Sequence, residues 1–119
     1  MKETKAVLSK VCQAIEDKKG EGIVILDISD ISSFTDYFVI CNGLNRLQNQ
    51  AICDEIRLRL KRDQNLVPSH IEGYDEAEWI LMDYLQFVVH IFSEETREFY
   101  KLERLWSDGE EIEPAALIA

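Results

Sequence analysis

The chain has 119 residues, of which 46% are hydrophobic and 30% charged, which fits one globular domain with a real core and disfavours two. Thirteen Lys and Arg against 23 Asp and Glu leave a net charge of −10, which argues against a nonspecific grip on nucleic acid and favours a basic partner. No apolar run approaches the roughly 20 residues of a membrane span, and the charged N-terminus does not read as a signal peptide, so a soluble cytoplasmic protein is expected.

Residues 4–19 place Val7, Leu8, Val11, Ala14 and Ile15 at three- and four-residue steps, the stripe of an amphipathic helix that ends near Lys18, Lys19 and Gly20. Residues 22–28 form a short β-branched run expected to be a strand. Residues 29–36, rich in Ser, Asp and Thr, make a turn-forming connection to a second strand over 37–41. Asn45 and Gln48 have capping-box spacing, so a helix is expected over 46–63, burying Ile52, Ile56 and Leu60 with Leu47 and Cys53 beside them. A short extended piece is expected around His70 and Ile71. Residues 78–83 and 86–92 then read as two strands that must pair antiparallel across Tyr84-Leu85, a turn in which neither residue favours positive φ. A third helix, starting at Glu94 or Thr96 and ending near Asp108-Gly109, carries Phe99, Leu102, Leu105 and Trp106 as its apolar face. Residues 1–109 thus read as a single α/β domain, and 110–119 as a mobile acidic tail with Pro114. The fold class is α/β in the broad sense (α+β), a mixed sheet of four to five strands with helices packed on it.

Chemistry-bearing residues are few. Cys12, Cys41 and Cys53 lack any C-x-x-C pairing and read as buried free thiols, with no metal or cofactor expected. Asp27, Asp30, Asp36 and Asp83 could converge on a metal ion, but turn chemistry explains each of them, and the lone Gly43 before the second helix is a weak phosphate-loop signal. The bases of that helix, Arg46, Arg57, Arg59, Lys61 and Arg62, stand against Asp54, Glu55 and Asp63 and suggest a solvated face with at most incidental RNA contacts. Residues 72–85 are more informative: Glu72, Asp75, Glu76, Glu78 and Asp83 surround Tyr74, Trp79 and Tyr84 without a Lys or Arg. An acid-rimmed aromatic interface and an ordinary strand with wet loop charges are both open on these residues alone. Strand alternation puts Trp79, Leu81 and Asp83 on one face and Ile80, Met82 and Tyr84 on the other.

The segments Thr35-Asp36-Tyr37-Phe38-Val39-Ile40, Glu72-Gly73, Trp79 with Asp83, Val88-Val89-His90-Ile91-Phe92, and Arg97 through Phe99-Tyr100, Leu102-Glu103 and Leu105-Trp106 resemble, in order, the ribosomal silencing factor (Iojap-like) family. The resemblance departs at Leu85, where many relatives carry Gly, and at Asn45, where Ser is common. It implies a nucleotidyltransferase-like fold without that fold's Gly-Ser and Asp-x-Asp catalytic elements, and a translational repressor rather than an enzyme. It further implies docking on the large ribosomal subunit, through its protein numbered fourteen at the intersubunit face, so that the small subunit cannot join. Trp79, Asp83 and Tyr84 would lie at the contact with Glu72 as acidic support, and the free protein would be a homodimer. The alternative is a nucleotide- or metal-dependent transferase retained from the fold's ancestry.

Overall fold

The computed structural model describes residues 2–117. Helix α1 (Lys2–Asp17) leads into strands β1 (Glu21–Asp27) and β2 (Tyr37–Gly43), followed by helix α2 (Arg46–Gln64). Strands β3 (His70–Glu72), β4 (Trp79–Asp83) and β5 (Phe87–Ser93) come next, then the short helices α3 (Glu94–Tyr100) and α4 (Leu102–Leu105), strand β6 (Glu110–Ile112) and a 3₁₀ turn over Pro114–Leu117. The sheet order is β3-β4-β5-β2-β1-β6, parallel only between β2 and β5. It has six strands rather than the expected four to five.

The sixth strand lies in the segment expected to be a mobile tail. Ile112 pairs with Ile25, while Glu111 and Glu110 pair with Leu26 and Asp27, and Leu117 is buried in the core beside α1. A strand of three residues, two of them acids, carries too little alternation to be read from sequence. Its charges also suit an edge that must not recruit further strands.

Helices α1 and α2 cover one face of the sheet. Leu8, Val11 and Ile15 from α1 and Ile52, Ile56 and Leu60 from α2 are fully buried against Ile25, Val39, Ile80 and Val89. The α2 start follows the sequence: the Asn45 side chain accepts from the Gln48 amide at 2.8 Å, and Gln48 Oε1 accepts from the Leu44 amide at 2.6 Å. Gln48 Nε2 also donates to the carbonyls of Lys18 and Lys19, tying the end of α1 to the start of α2. Leu47 does not join the buried face. It is 71% exposed, on the same side of the helix as the exposed Asp54 and Leu58, two and three turns on. The three thiols are free and buried, and burial pushes each of them up to about 12, which keeps them unreactive.

The opposite face carries a second apolar cluster of Leu26, Phe38, Ile40, Val88, Phe92 and Leu102, over which α3 and α4 lie. The expected single third helix is broken at Lys101, whose φ of 46° is left-handed. The break is held by Arg97, which donates from Nη1 to Asn42 Oδ1 at 2.7 Å and from Nε to Glu103 Oε1 at 3.1 Å. Gly22, at a bulge in β1 with φ 64°, leaves the space the Arg97 guanidinium occupies; a Cβ there would stand 2.5 Å from Nη1. In consequence only Leu102 of the expected apolar face is buried, whereas Phe99 and Leu105 are 78% and 76% exposed.

The β4–β5 connection is a tight three-residue loop. Leu85 has φ 74°, and the Gln86 amide donates to the Tyr84 carbonyl at 2.9 Å, the pattern of the rare γ-turn that strains a side-chain-bearing residue. Replacing Leu85, which is largely exposed, with Gly should therefore raise the free energy of unfolding by about 1 kcal/mol in urea titrations. A midpoint at or below that of the unaltered protein would contradict strain at this turn.

Candidate functional site

The pleat of β4 sets the candidate site. Ile80 and Met82 point to the α1/α2 side and are fully buried, so Trp79, Leu81 and Asp83 stand half-buried on the other face. Pairing of β3 with β4 places Glu72 opposite Leu81 and His70 opposite Asp83, which brings Glu72 onto the same face. Three of the four expected residues are thereby gathered. Tyr84 is not among them: it is buried on the α1/α2 side, stacked on Phe87 with ring centroids 4.8 Å apart. The physical reason is the alternation itself, which puts position 84 on the opposite face from 79 and 83. Burial also pushes the Tyr84 phenol well above its ordinary value.

Around Trp79 the face is a continuous band of rings. Trp79 packs against Phe92 at 4.9 Å and Tyr100 at 5.0 Å, and Tyr100 meets Phe99 edge-on at 4.9 Å. Towards β2, His90 lies 4.6 Å from Phe38, which meets Trp106 at 5.3 Å, and Trp106 meets Phe34 at 5.9 Å. The ends of the band are open to solvent: Phe34, Phe99 and Tyr100 are all exposed. Exposed aromatic rings at both ends of the band make this face the candidate interaction surface.

Acids border the band. His70 Nε2 stands 3.0 Å from Glu72 Oε2 and its Nδ1 3.8 Å from Asp83 Oδ2, so His70 sits between the two expected acids. Asp83 also accepts from the Leu85 amide at 2.8 Å, which fixes one of its oxygens while the turn holds its place. Sequence reasoning missed His70, Phe34 and Tyr100 as members of this face. The signal for His70 was its register opposite Asp83, which becomes readable only once the short β3 is paired.

The other candidate chemistries are accounted for locally. Asp27 Oδ1 accepts from the Ser29 amide and hydroxyl, ordinary turn bonding. Among the described residues no group of three His, Cys, Asp or Glu side chains could hold a metal ion, and no helix is long and apolar enough to cross a membrane. At the α2 N-terminus, where a phosphate would sit, the Leu44 and Gln48 amides are already bonded to the protein's own side chains. Two of the five bases on α2 are paired: Arg59 with Glu55 and Asp17, and Arg62 with Asp63, whose carboxyl it holds down at about 2.

His90 is the one buried titratable group of the face. Burial alone pushes its imidazole down to about 3, so the folded protein holds it neutral. Between about pH 6.5 and 3 the unfolded chain binds a proton there that the folded chain refuses, so this group lowers stability as pH falls through that window. His90→Phe should flatten the acid side of the stability curve; identical slopes for the two proteins in that window would contradict a buried neutral imidazole.

A mixed-sheet α+β body with one aromatic, acid-bordered face has the surface of a small regulatory binding protein. The chain belongs to the ribosomal silencing factor family: the family model described as "Ribosomal silencing factor during starvation" matches residues 1–118. It is similar to the ribosomal silencing factor RsfS of Bacillus subtilis, 42% identical over 106 residues and 88% of each chain. The counterpart in Halalkalibacterium halodurans is 36% identical over 113 residues, 95% of this chain and 96% of that one. A mouse protein named "Mitochondrial assembly of ribosomal large subunit protein 1" is 29% identical over 98 residues, 78% of this chain and 42% of its own length. Among solved structures, a Chromobacterium violaceum protein superposes with a TM-score of 0.82 at 28% identity over 90% of this chain and 88% of that one. One from Bacillus halodurans does so at 0.76 and 37%, over 89% of this chain and 95% of that one. A silencing factor regulates rather than catalyses, and the transferase alternative falls with that assignment.

Proposed function

We propose that this protein silences translation by docking on the large ribosomal subunit with the face that carries Glu72, Trp79 and Asp83, and that it thereby prevents the small subunit from joining. The single observation behind this reading is the aromatic band centred on Trp79 and bordered by acids, on a chain of net charge −10. Large rings supply binding area at low conformational cost, and the acids select a basic partner. The large-subunit protein numbered fourteen, at the intersubunit face, is the partner proposed, with contacts to ribosomal RNA incidental. Repression is steric: a body of 33 × 33 × 26 Å on that surface occupies the space the small subunit needs. In the free state the protein is proposed to be a cytoplasmic homodimer, the commonest way to cover exposed apolar surface.

Sedimentation with purified large and small subunits, separately and mixed, tests this reading. The protein should travel with large subunits alone, and at saturation it should suppress subunit pairing. Normal pairing at saturation, or absence from the large-subunit fraction, would overturn it.

A further inference from the structure

The indole of Trp79 has one polar atom, and it faces inward: Nε1 donates to His90 Nδ1 at 3.0 Å. His90 lies on the central strand β5, paired with Leu81 on one side and Ile40 on the other, so it is the diagonal neighbour of Trp79 rather than its direct partner, which is Phe92. The imidazole is 3% exposed, and its Nε2 has no hydrogen-bond partner. Because Nδ1 accepts, Nε2 carries the proton of the neutral ring. A strand face shared with Phe38, Ile40, Val88 and Phe92 would bury Phe or Leu at lower cost than an imidazole with one unsatisfied N–H. Among the described residues, the bond to Trp79 is the one hydrogen bond that its side chain makes.

Resting on the docking reading above, we propose that His90 is a positioning residue for the ribosome contact: it locks the Trp79 indole in one orientation and takes its N–H out of play. The ring then meets the partner as a rigid, wholly apolar anchor between Phe92 and Tyr100. A preset anchor loses less freedom on docking than one that must be ordered by the partner. His90 itself need not touch the ribosome.

The first part of the test reads the indole N–H directly. In ¹⁵N-labelled protein the Trp79 indole N–H should exchange with solvent at least tenfold more slowly than in His90→Phe, with Trp106, the only other indole, as internal reference. His90→Phe should weaken binding to large subunits about tenfold, and His90→Asn, which returns an acceptor oxygen near the Nδ1 position, should recover part of that loss. In a Trp79→Phe background, where there is no N–H to hold, His90→Phe should change affinity less than twofold. An unprotected Trp79 N–H in the unaltered protein would overturn the proposal, as would an equal loss from His90→Phe with and without the indole. If instead Trp79→Ala leaves binding intact, the docking face itself is wrong and both ideas fall. If Trp79→Ala abolishes binding but the double-mutant cycle is additive, the docking face stands and only the role of His90 is lost.

Discussion

Trp79→Ala should weaken binding to large ribosomal subunits by about 2 kcal/mol or more, roughly 30-fold, measured by co-sedimentation across a range of subunit concentrations. Trp79 sits where the band is thickest, between Phe92, Tyr100 and His90, and it is only partly buried, which leaves ring surface for a partner. Truncation removes that surface and also leaves His90 Nδ1 without its donor, so the fold loses stability too, by about 2 kcal/mol. The two losses separate experimentally. Affinity measured well below the unfolding midpoint reports the contact, and Leu58→Ala serves as control, since Leu58 is an exposed apolar residue that lies on α2 across the sheet. Undiminished binding by a folded Trp79→Ala protein would remove the band from the interface.

What the sequence made legible follows from how many residues voted for each element. Ile52, Ile56 and Leu60 repeat over two turns, and the Asn45–Gln48 box agrees with them, so α2 was readable to within one residue. The alternation of β4 likewise assigns Trp79 and Asp83 to one face. The α3–α4 break had no such support. Its left-handed residue is Lys101 rather than Gly or Asn, and it is enforced from afar by Asn42 and Glu103 through Arg97. Helical spacing alone therefore made Phe99 and Leu105 look buried, when the break turns them outward. Tyr84 shows the converse: position-by-position transfer placed it at the contact, while alternation, the more local argument, correctly put it on the other side. The Trp79–His90 pair was within reach in principle. Aligning β4 and β5 across their short turn makes the two residues diagonal neighbours, but the register depends on a loop whose γ-turn at Leu85 no propensity predicts.

Gly73→Ala should destabilise the protein by about 3 kcal/mol, lowering the thermal midpoint by roughly 10 °C, because two penalties coincide at one atom. Gly73 has φ 78°, and a Cβ built on it would run into the carbonyl oxygen of Trp79. That oxygen belongs to the first residue of β4, where pairing with Phe92 fixes the strand, so it cannot retreat without disturbing the sheet. The Gly73 carbonyl in turn accepts from the Ala77 amide at 2.9 Å, which closes the loop between β3 and β4. The same turn therefore sets the height of Trp79 above the sheet and the place of Glu72 beside it. Large-subunit binding should fall together with stability. Gly73→Asn separates the two penalties: Asn tolerates positive φ but still carries a Cβ. Unfolding of the Asn protein close to the Ala midpoint identifies the clash with Trp79 as the dominant cost, whereas recovery of most of the lost stability would show that the dihedral alone required glycine.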